Sequence, residues 1–600
     1  MSLALATRGR TTSTQAWARA LQNIAPLQRD GTGTLPNLVD ELAERHGAAA
    51  SLIGEHDHVT YTELSQRKNQ YARWALEQGL TQGGATALLM SNCPDYLAIW
   101  LGISQTGGVV ALINTNLTGD ALRHSIAVAG ARHIIAGAEH VACLDQIRAQ
   151  LPAGTQCWVM GEAATGNAGF AALSRARYAA GKLTVSECPA PSARSTALLI
   201  YTSGTTGLPK AARISHYRVL EWSSWFAGMM DTGPDDRLYD CLPMYHSTGG
   251  VAILGAVLVK GGAIVIRQRF SARRFWDDVE SQGCTLFVYI GELCRYLVNA
   301  PPHDMEARHQ LRLCCGNGLR EDVWQVFEQR FHLPQILEFY ASTEGNVALY
   351  NCEGRPGAVG RVPAFLAHRF PVALIECDAE TGEPRRGPDG RCIACPPDST
   401  GEAIGKIIAG SHAGPGQFEG YTEQAATEKK ILRDVLASGD AWFRTGDLMR
   451  RDAAGFYYFV DRLGDNFRWK GENVSTTHVA EALCRCTGIT GAAVYGVTVP
   501  GTEGRAGMAA ITADADFDLA RLRAELSQML PAYARPVFLR ICAELETTGT
   551  FKPVKARLAQ EGYALDATAD PIYVDDAVSG LFRRLNAELL GIIRRGELRF

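Results

Sequence analysis

The stretch Tyr201-Thr202-Ser203-Gly204-Thr205-Thr206-Gly207-Leu208-Pro209-Lys210 stands directly after the apolar run 197–200. Its order is that of a phosphate loop: a strand delivers it and a helix follows. Gly204 and Gly207 let the backbone bend toward an anion, the Thr and Ser hydroxyls supply donors, and Lys210 adds a positive charge. A Ser/Thr/Gly surface loop has no need of this order of donors ending in lysine. Tested against the pattern G-x-x-x-x-G-K followed by Ser or Thr, the stretch fails twice. Pro209 replaces the second glycine and removes a backbone donor, and Ala211 replaces the hydroxyl residue that would hold Mg²⁺. Phosphate binding is expected; an ordinary ATPase or kinase is not.

Outward from this loop, apolar β-rich runs such as 197–201 and 263–266 alternate with amphipathic helical stretches such as 275–281 and 321–331. The alternation predicts an α/β fold with mostly parallel sheets. At 600 residues the chain exceeds what one core serves, about 250–300 residues, so several domains are expected. Two stretches read as loops: 161–195, rich in Ala, Gly and Ser, and 381–401, dense in Gly, Pro and charge. A net charge of -4 argues against nucleic acid as a partner.

Sixteen cysteines are too sparse for a disulfide scaffold, and Cys314 and Cys315 sit inside an apolar run, which predicts a reducing, cytoplasmic location. Cys392 and Cys395 form a C-x-x-C without a second ligand pair and read as chance spacing. Residues 1–30 lack an apolar core of signal-peptide length, and the uncharged stretch 96–119 reads as a buried helix and strand, since Gln105, Gly107 and Asn114 interrupt it. Near the C-terminus Leu581, Leu585, Leu589, Ile592 and Ile593 fit one helical face flanked by arginines. The favoured reading is a helix docked on its own domain; the alternative is peripheral contact with the inner face of a membrane.

The phosphate loop resembles the signature of the adenylate-forming superfamily, which includes acyl-CoA synthetases, luciferases and peptide-synthetase adenylation domains. Further matches follow in chain order. Tyr340-Ala341-Ser342-Thr343-Glu344-Gly345 resembles the second nucleotide motif, Phe443-Arg444-Thr445-Gly446-Asp447 the third, and Asp461-Arg462 the start of the hinge motif. The run from Gly464 to Thr477, with Phe467-Arg468-Trp469-Lys470-Gly471-Glu472-Asn473, is similar to that of fatty acid transport proteins, also called very-long-chain acyl-CoA synthetases. Tyr245-His246-Ser247-Thr248-Gly249-Gly250 fits the same subgroup.

The resemblance implies an α/β protein with a large, multi-sheet N-terminal adenylate-forming domain over 1–462, a hinge at 463–465 and a small mobile α/β domain over 466–600. ATP, Mg²⁺ and CoA would bind between them. It also implies an acid-thiol ligase: a long- or very-long-chain fatty acid becomes an acyl-adenylate with loss of pyrophosphate, then a CoA thioester with loss of AMP. Another apolar carboxylate, such as a sterol-derived acid, is an alternative. A fatty-acid uptake or binding protein is a rival of another class, but Glu344, Asp447, Arg462 and Lys552 have no place in simple lipid binding.

A carboxylic acid with pKa near about 4–5 is already ionised at pH 7, so adenylation needs no general base, only alignment and charge neutralisation. By the resemblance, Thr202, Ser203, Gly204, Thr205, Thr206, Gly207 and Lys210 hold the phosphates, and Glu344 binds Mg²⁺. Thr343 lies by the α-phosphate, Tyr340 by adenine, Gly316, Asn317 and Gly318 form the adenine-side wall, and Asp447 with Arg462 takes the ribose. The catalytic lysine falls in Thr547-Thr548-Gly549-Thr550-Phe551-Lys552. Lys552 is the candidate, with Lys555 three residues on and Phe551 a departure from the commoner pattern. His246 either assists the CoA thiol or is a wall of the acid pocket. The swivel point is Gly464 or Asp465.

Overall fold

The computed structural model describes residues 12–30, 33–80, 82–160, 169–203, 208–378, 381–408, 417–470, 472–502, 504–548, 552–576 and 579–598. The chain divides into two compact units, Met1–Pro371 with Lys406–Ile431, and Val372–Gly405 with Leu432–Phe600. These packing units place 372–405 and 432–462 with the C-terminal segment, whereas the division at Arg462 read from the hinge motif concerns motion and stays a proposal.

The first unit carries two sheets. One runs Ala171–Leu173, Gln156–Met160, His133–Ala136, Ala85–Leu89, Val109–Leu112, Thr196–Ser203, Pro209–Ser215, and every pair is parallel except the last. The other runs Ala348–Asn351, Ile336–Ala341, Leu313–Asn317, Leu286–Ile290, Arg237–Asp240, Ala263–Ile266, Ala50–Ile53, His58–Thr60, with antiparallel pairs only at its two edges. Strands such as Leu286–Ile290 are apolar and buried at every position, as parallel strands covered on both faces must be. The helices Phe275–Ser281 and Glu321–Arg330 fall where the amphipathic stretches predicted them. The stretch 96–119 holds a buried helix, Pro94–Gln105, and a buried strand, Val109–Leu112.

The phosphate loop departs from its expected setting. The chain returns antiparallel, Thr202 opposite Lys210 and Ser203 opposite Pro209, and the helix begins only at His216. The loop therefore joins two antiparallel strands, and the helix that follows it in the chain begins six residues past Lys210. Lys210-Ala211-Ala212-Arg213 has no β preference of its own; pairing holds it extended, with Thr196–Ser203 on one side and 420–422 on the other, before Ser215 caps the helix His216–Met230 by accepting from the Arg218 N–H. Residues 204–207 and the Ser203 side chain lie outside the described residues.

In the second unit the strands Ile489–Val497, Ala506–Ala513, Phe538–Ile541, Ile572–Asp576 and Leu581–Arg584 form a sheet with one parallel pair. The helix expected from Leu581 begins at Ala587 instead, because Asn586 accepts from the Leu589 N–H and caps it there. Leu581 sits on the edge strand, 53% exposed. Leu585, Leu589 and Ile593 are buried in this unit's own core, so the C-terminal helix is docked on its own domain. Among the described residues no helix is long and apolar enough to cross a membrane.

Candidate active site

In the first unit the hairpin Thr196–Ser203/Pro209–Ser215 gains a third partner: the segment 420–422 pairs beside it, with Arg213 N–H donating to the Gly420 carbonyl and Thr422 N–H to Ala211. That pairing carries Tyr421 under the Lys210 ammonium, 5.9 Å from the ring centre, and its hydroxyl donates to Glu344 Oε1 at 2.7 Å. Glu344 is buried, at the end of the turn after the strand Ile336–Ala341. The carboxylate beside it and burial together push the Tyr421 phenol far above its ordinary range, so it stays a donor.

Thr343 Oγ1 shares a hydrogen bond with Ser247 Oγ at 3.0 Å, joining the second nucleotide motif to the segment 245–250. That segment runs into a π-helical turn, Thr248–Ala252, tight enough that a Cβ on Gly250 would lie 1.8 Å from the Met244 carbonyl. The His246 ring packs beside Tyr245, with ring centres 4.5 Å apart. Tyr340 sits on the strand opposite Leu349.

The wall 316–318 ends the strand Leu313–Asn317, and its backbone is held by a residue sequence reading missed. Glu338 Oε1 accepts from the Gly318 and Leu319 N–H groups, and Oε2 from the Tyr289 hydroxyl at 2.6 Å. Its position two residues before Tyr340, inward on a fully apolar strand, was the available signal. Burial outweighs these hydrogen bonds and raises the Glu338 carboxyl to about 8. A carboxyl raised on folding stabilises fully below its ordinary value of 4.5, and that contribution is lost as pH rises through about 8. Glu338→Gln, which keeps an acceptor for both N–H groups, should flatten the fall in urea midpoint between pH 6 and pH 9.

A pocket with about 870 Å³ of empty space, its mouth included, opens beside Ser342 and Thr343. Trp222, Trp225, Phe226, Phe339, Tyr350 and Phe370 make it largely aromatic, and Ser247, Thr248 and Ala252 rather than His246 supply the wall from the π-helical turn. Trp17, on the N-terminal helix Ser13–Asp30, backs it edge-on to Trp225, Tyr350 and Phe370 at 5.3–5.6 Å between ring centres.

In the second unit Asp447 and Arg462 face each other across antiparallel strands, with Arg462 Nε 3.5 Å from Asp447 Oδ1. Asp461, beside them, is buried and accepts from the Thr476 N–H at 2.6 Å, tying the strand end to the next helix. Gly464 follows at φ +92°, a backbone conformation glycine adopts freely. Lys552 closes a turn in which Thr548 N–H donates to its carbonyl. Loss of hydration holds its ammonium below the ordinary lysine range, Arg462 adds to this, and Asp447 opposes it; the residue as a whole is exposed, so the shift carries little stability. Lys555 is committed elsewhere, donating to Thr476 Oγ1 at 2.8 Å beside Asp465.

The residues fit a polar, anionic ligand. Asn317 Oδ1, Ser342 Oγ and Thr422 Oγ1 are enclosed and have no hydrogen-bond partner among the described residues. Such atoms are costly unless a ligand or water satisfies them. One buried carboxylate, Glu344, suits Mg²⁺, which takes one or two carboxylates and completes its shell with phosphate oxygens and water. Among the described residues no group of three or more His, Cys, Asp or Glu side chains is placed to hold a metal alone.

Residues 39–394 match the AMP-binding enzyme family, and residues 478–552 the AMP-binding enzyme C-terminal domain. The chain belongs to the AMP-binding enzymes. It is an AMP-forming acid-CoA ligase that uses ATP, Mg²⁺ and CoA. Its relatives include the long-chain fatty acid transport protein 1 of Mus musculus, 37% identical over 570 residues, 94% of this chain and 88% of the relative. The long-chain fatty acid transport protein 3 of Mus musculus is 42% identical over 537 residues, 88% of this chain and 79% of the relative. Among solved structures, an anthranilate CoA ligase in complex with anthranoyl-AMP shares the fold at a TM-score of 0.75 and 18% identity, over 90% of this chain and 99% of that one.

Proposed function

We propose that the acid is a long- or very-long-chain fatty acid, held in the aromatic pocket with its carboxylate at the Ser342–Thr343 end. The observation that carries this is the pocket itself: six aromatic side chains, with Trp225, Tyr350 and Phe370 backed by Trp17, and hydroxyls at Ser247, Thr248, Ser342 and Thr343 apart from the phenol of Tyr350. Each buried methylene contributes about 0.8 kcal/mol, or roughly fourfold in affinity, so pocket depth sets chain preference.

In this reading the hairpin loop, with Thr202 and Lys210, takes the phosphates, and Asp447 accepts from the ribose hydroxyls. Glu344, oriented by Tyr421, would hold Mg²⁺, which would supply charge neutralisation at the phosphates. Thr343, fixed by Ser247, hydrogen-bonds an α-phosphate oxygen. Lys552 neutralises charge on the acid carboxylate and the α-phosphate. Gly464 is the swivel, since its positive φ leaves room for large changes of ψ.

The test is release of AMP and pyrophosphate from ATP-Mg²⁺ with acids from hexanoate to very long chains, with and without CoA. Acyl-CoA formed from long acids and not from hexanoate supports the reading; a preference for a sterol-derived acid, or for short acids, replaces it. A second outcome addresses depth. Trp17→Leu should move the product profile toward longer acids, by about fourfold per methylene newly admitted. An unchanged profile in a folded variant means the pocket ends before Trp17.

A further inference from the structure

The face of the helix His216–Met230 that lines the pocket repeats at helical spacing: Arg218, then Glu221 and Trp222, then Trp225 and Phe226. The last three are what an apolar acid needs. Arg218 is not. It is 6% exposed, its guanidinium lies 4.9 Å over the Trp222 ring, and Nη2 donates to the Gly345 carbonyl, two residues past Thr343. Its Nη1 is enclosed and has no hydrogen-bond partner among the described residues. A buried guanidinium with an unused donor is expensive unless something anionic completes it.

The geometry points to Arg218 as the carboxylate contact of the acid site: Nη1 holds one oxygen of the reacting carboxylate at the Ser342–Thr343 end, and the hydrocarbon chain leaves along the aromatic wall. The inference rests on the fatty-acid reading above. Two features favour the reacting carboxylate over a second polar group of the substrate. The hydrogen bond to Gly345 pins the guanidinium at the turn that carries Thr343, and the side chains Trp17 backs are the rings of Trp225, Tyr350 and Phe370.

Glu221 shares the pocket and would compete for the same cation. Burial pushes its carboxyl up to about 7, against the pull of Arg218 and Tyr217 on its own helix and of Arg369; Glu419 adds repulsion. Below neutral pH this neighbour is largely neutral, which leaves the guanidinium to the acid. Above it, an ionised Glu221 repels a carboxylate.

The experiment is steady-state kinetics of the full-length Arg218→Gln and Arg218→Lys variants with hexadecanoate and hexadecanedioate. Hexadecanoate binding to each is measured by calorimetry in the absence of ATP. Arg218→Gln should raise KM for both acids on the order of ten- to a hundredfold, with KM for ATP unchanged and lysine restoring part of the loss. A purely structural role would instead lower kcat, shift KM for ATP and reduce thermal stability together. Should Arg218→Gln fail to fold, Glu221→Gln reads the same site: KM for hexadecanoate at pH 8.5 should fall below that of the unaltered enzyme and lose its rise between pH 6 and pH 8.5. Unchanged KM for the acid in folded Arg218→Gln overturns the inference, as does a flat pH response of the unaltered enzyme. An effect confined to hexadecanedioate also overturns it, assigning Arg218 to a second polar group. If the unaltered enzyme turns over no long-chain acid yet binds hexadecanoate, the fatty-acid reading fails as chemistry while the Arg218 contact is still read by calorimetry.

Discussion

Replacing Lys552 with alanine is expected to lower acid-dependent pyrophosphate release by about 10²–10³-fold, the usual loss when one preorganised charge on the reacting centre is removed. Lys555→Ala is expected to act far less on this step. The physical ground is occupancy: the Lys555 ammonium already donates to Thr476 Oγ1 and faces Asp465, whereas the Lys552 ammonium is held below the ordinary lysine range chiefly by loss of hydration, with Arg462 adding to this and Asp447 opposing it. Since the Lys552 ammonium is held below the ordinary lysine range, activity should fall on the alkaline side earlier than an unperturbed lysine would allow. Pyrophosphate release with hexadecanoate, followed from pH 6.5 to pH 10 in both variants, checks the pair. A larger loss in Lys555→Ala than in Lys552→Ala transfers the role to Lys555.

The second large effect is expected at Glu344. Glu344→Gln removes the buried carboxylate proposed for Mg²⁺, and turnover should drop by roughly 10²-fold or more at a fixed Mg²⁺ concentration. Partial recovery is expected as Mg²⁺ is raised. Tyr421→Phe leaves that carboxylate in place but frees it to rotate, because the 2.7 Å hydrogen bond to Oε1 is lost. Loss of such an orienting partner typically costs about 10–100-fold in metal affinity or activity, so the Mg²⁺ requirement should rise with little change in KM for the acid. Titration of rate against Mg²⁺ at saturating ATP separates the two variants. Equal Mg²⁺ requirements in Tyr421→Phe and the unaltered enzyme would remove Tyr421 from the site.

The aromatic pocket and the phosphate hairpin were unequally legible. Strand Ala263–Ile266 and helix Phe275–Ser281 lie where their hydrophobic period put them, since period is a local property that burial then confirms. The C-terminal pattern misled: Leu581 fits the helical face of Leu585, Leu589 and Ile593, yet it pairs with Asp576 on an edge strand because Asn586 begins the helix five residues later. Period alone does not see a cap inside a continuous apolar pattern.

Sequence by itself determined the chemistry class: the run from Tyr201 to Lys210, Tyr340 to Gly345, Phe443 to Asp447 and Asp461-Arg462 are each short and contiguous, so their order along the chain suffices to recognise them. Tertiary structure alone decided that the phosphate loop joins two antiparallel strands, that Tyr421 meets Glu344 across 77 residues, that Glu338 braces the wall at Gly318, and that Trp17 and Arg218 shape the aromatic pocket. Those contacts join residues far apart in the chain. No local period or spacing encodes them; they exist only once the two sheets and the helices of the first unit have packed together.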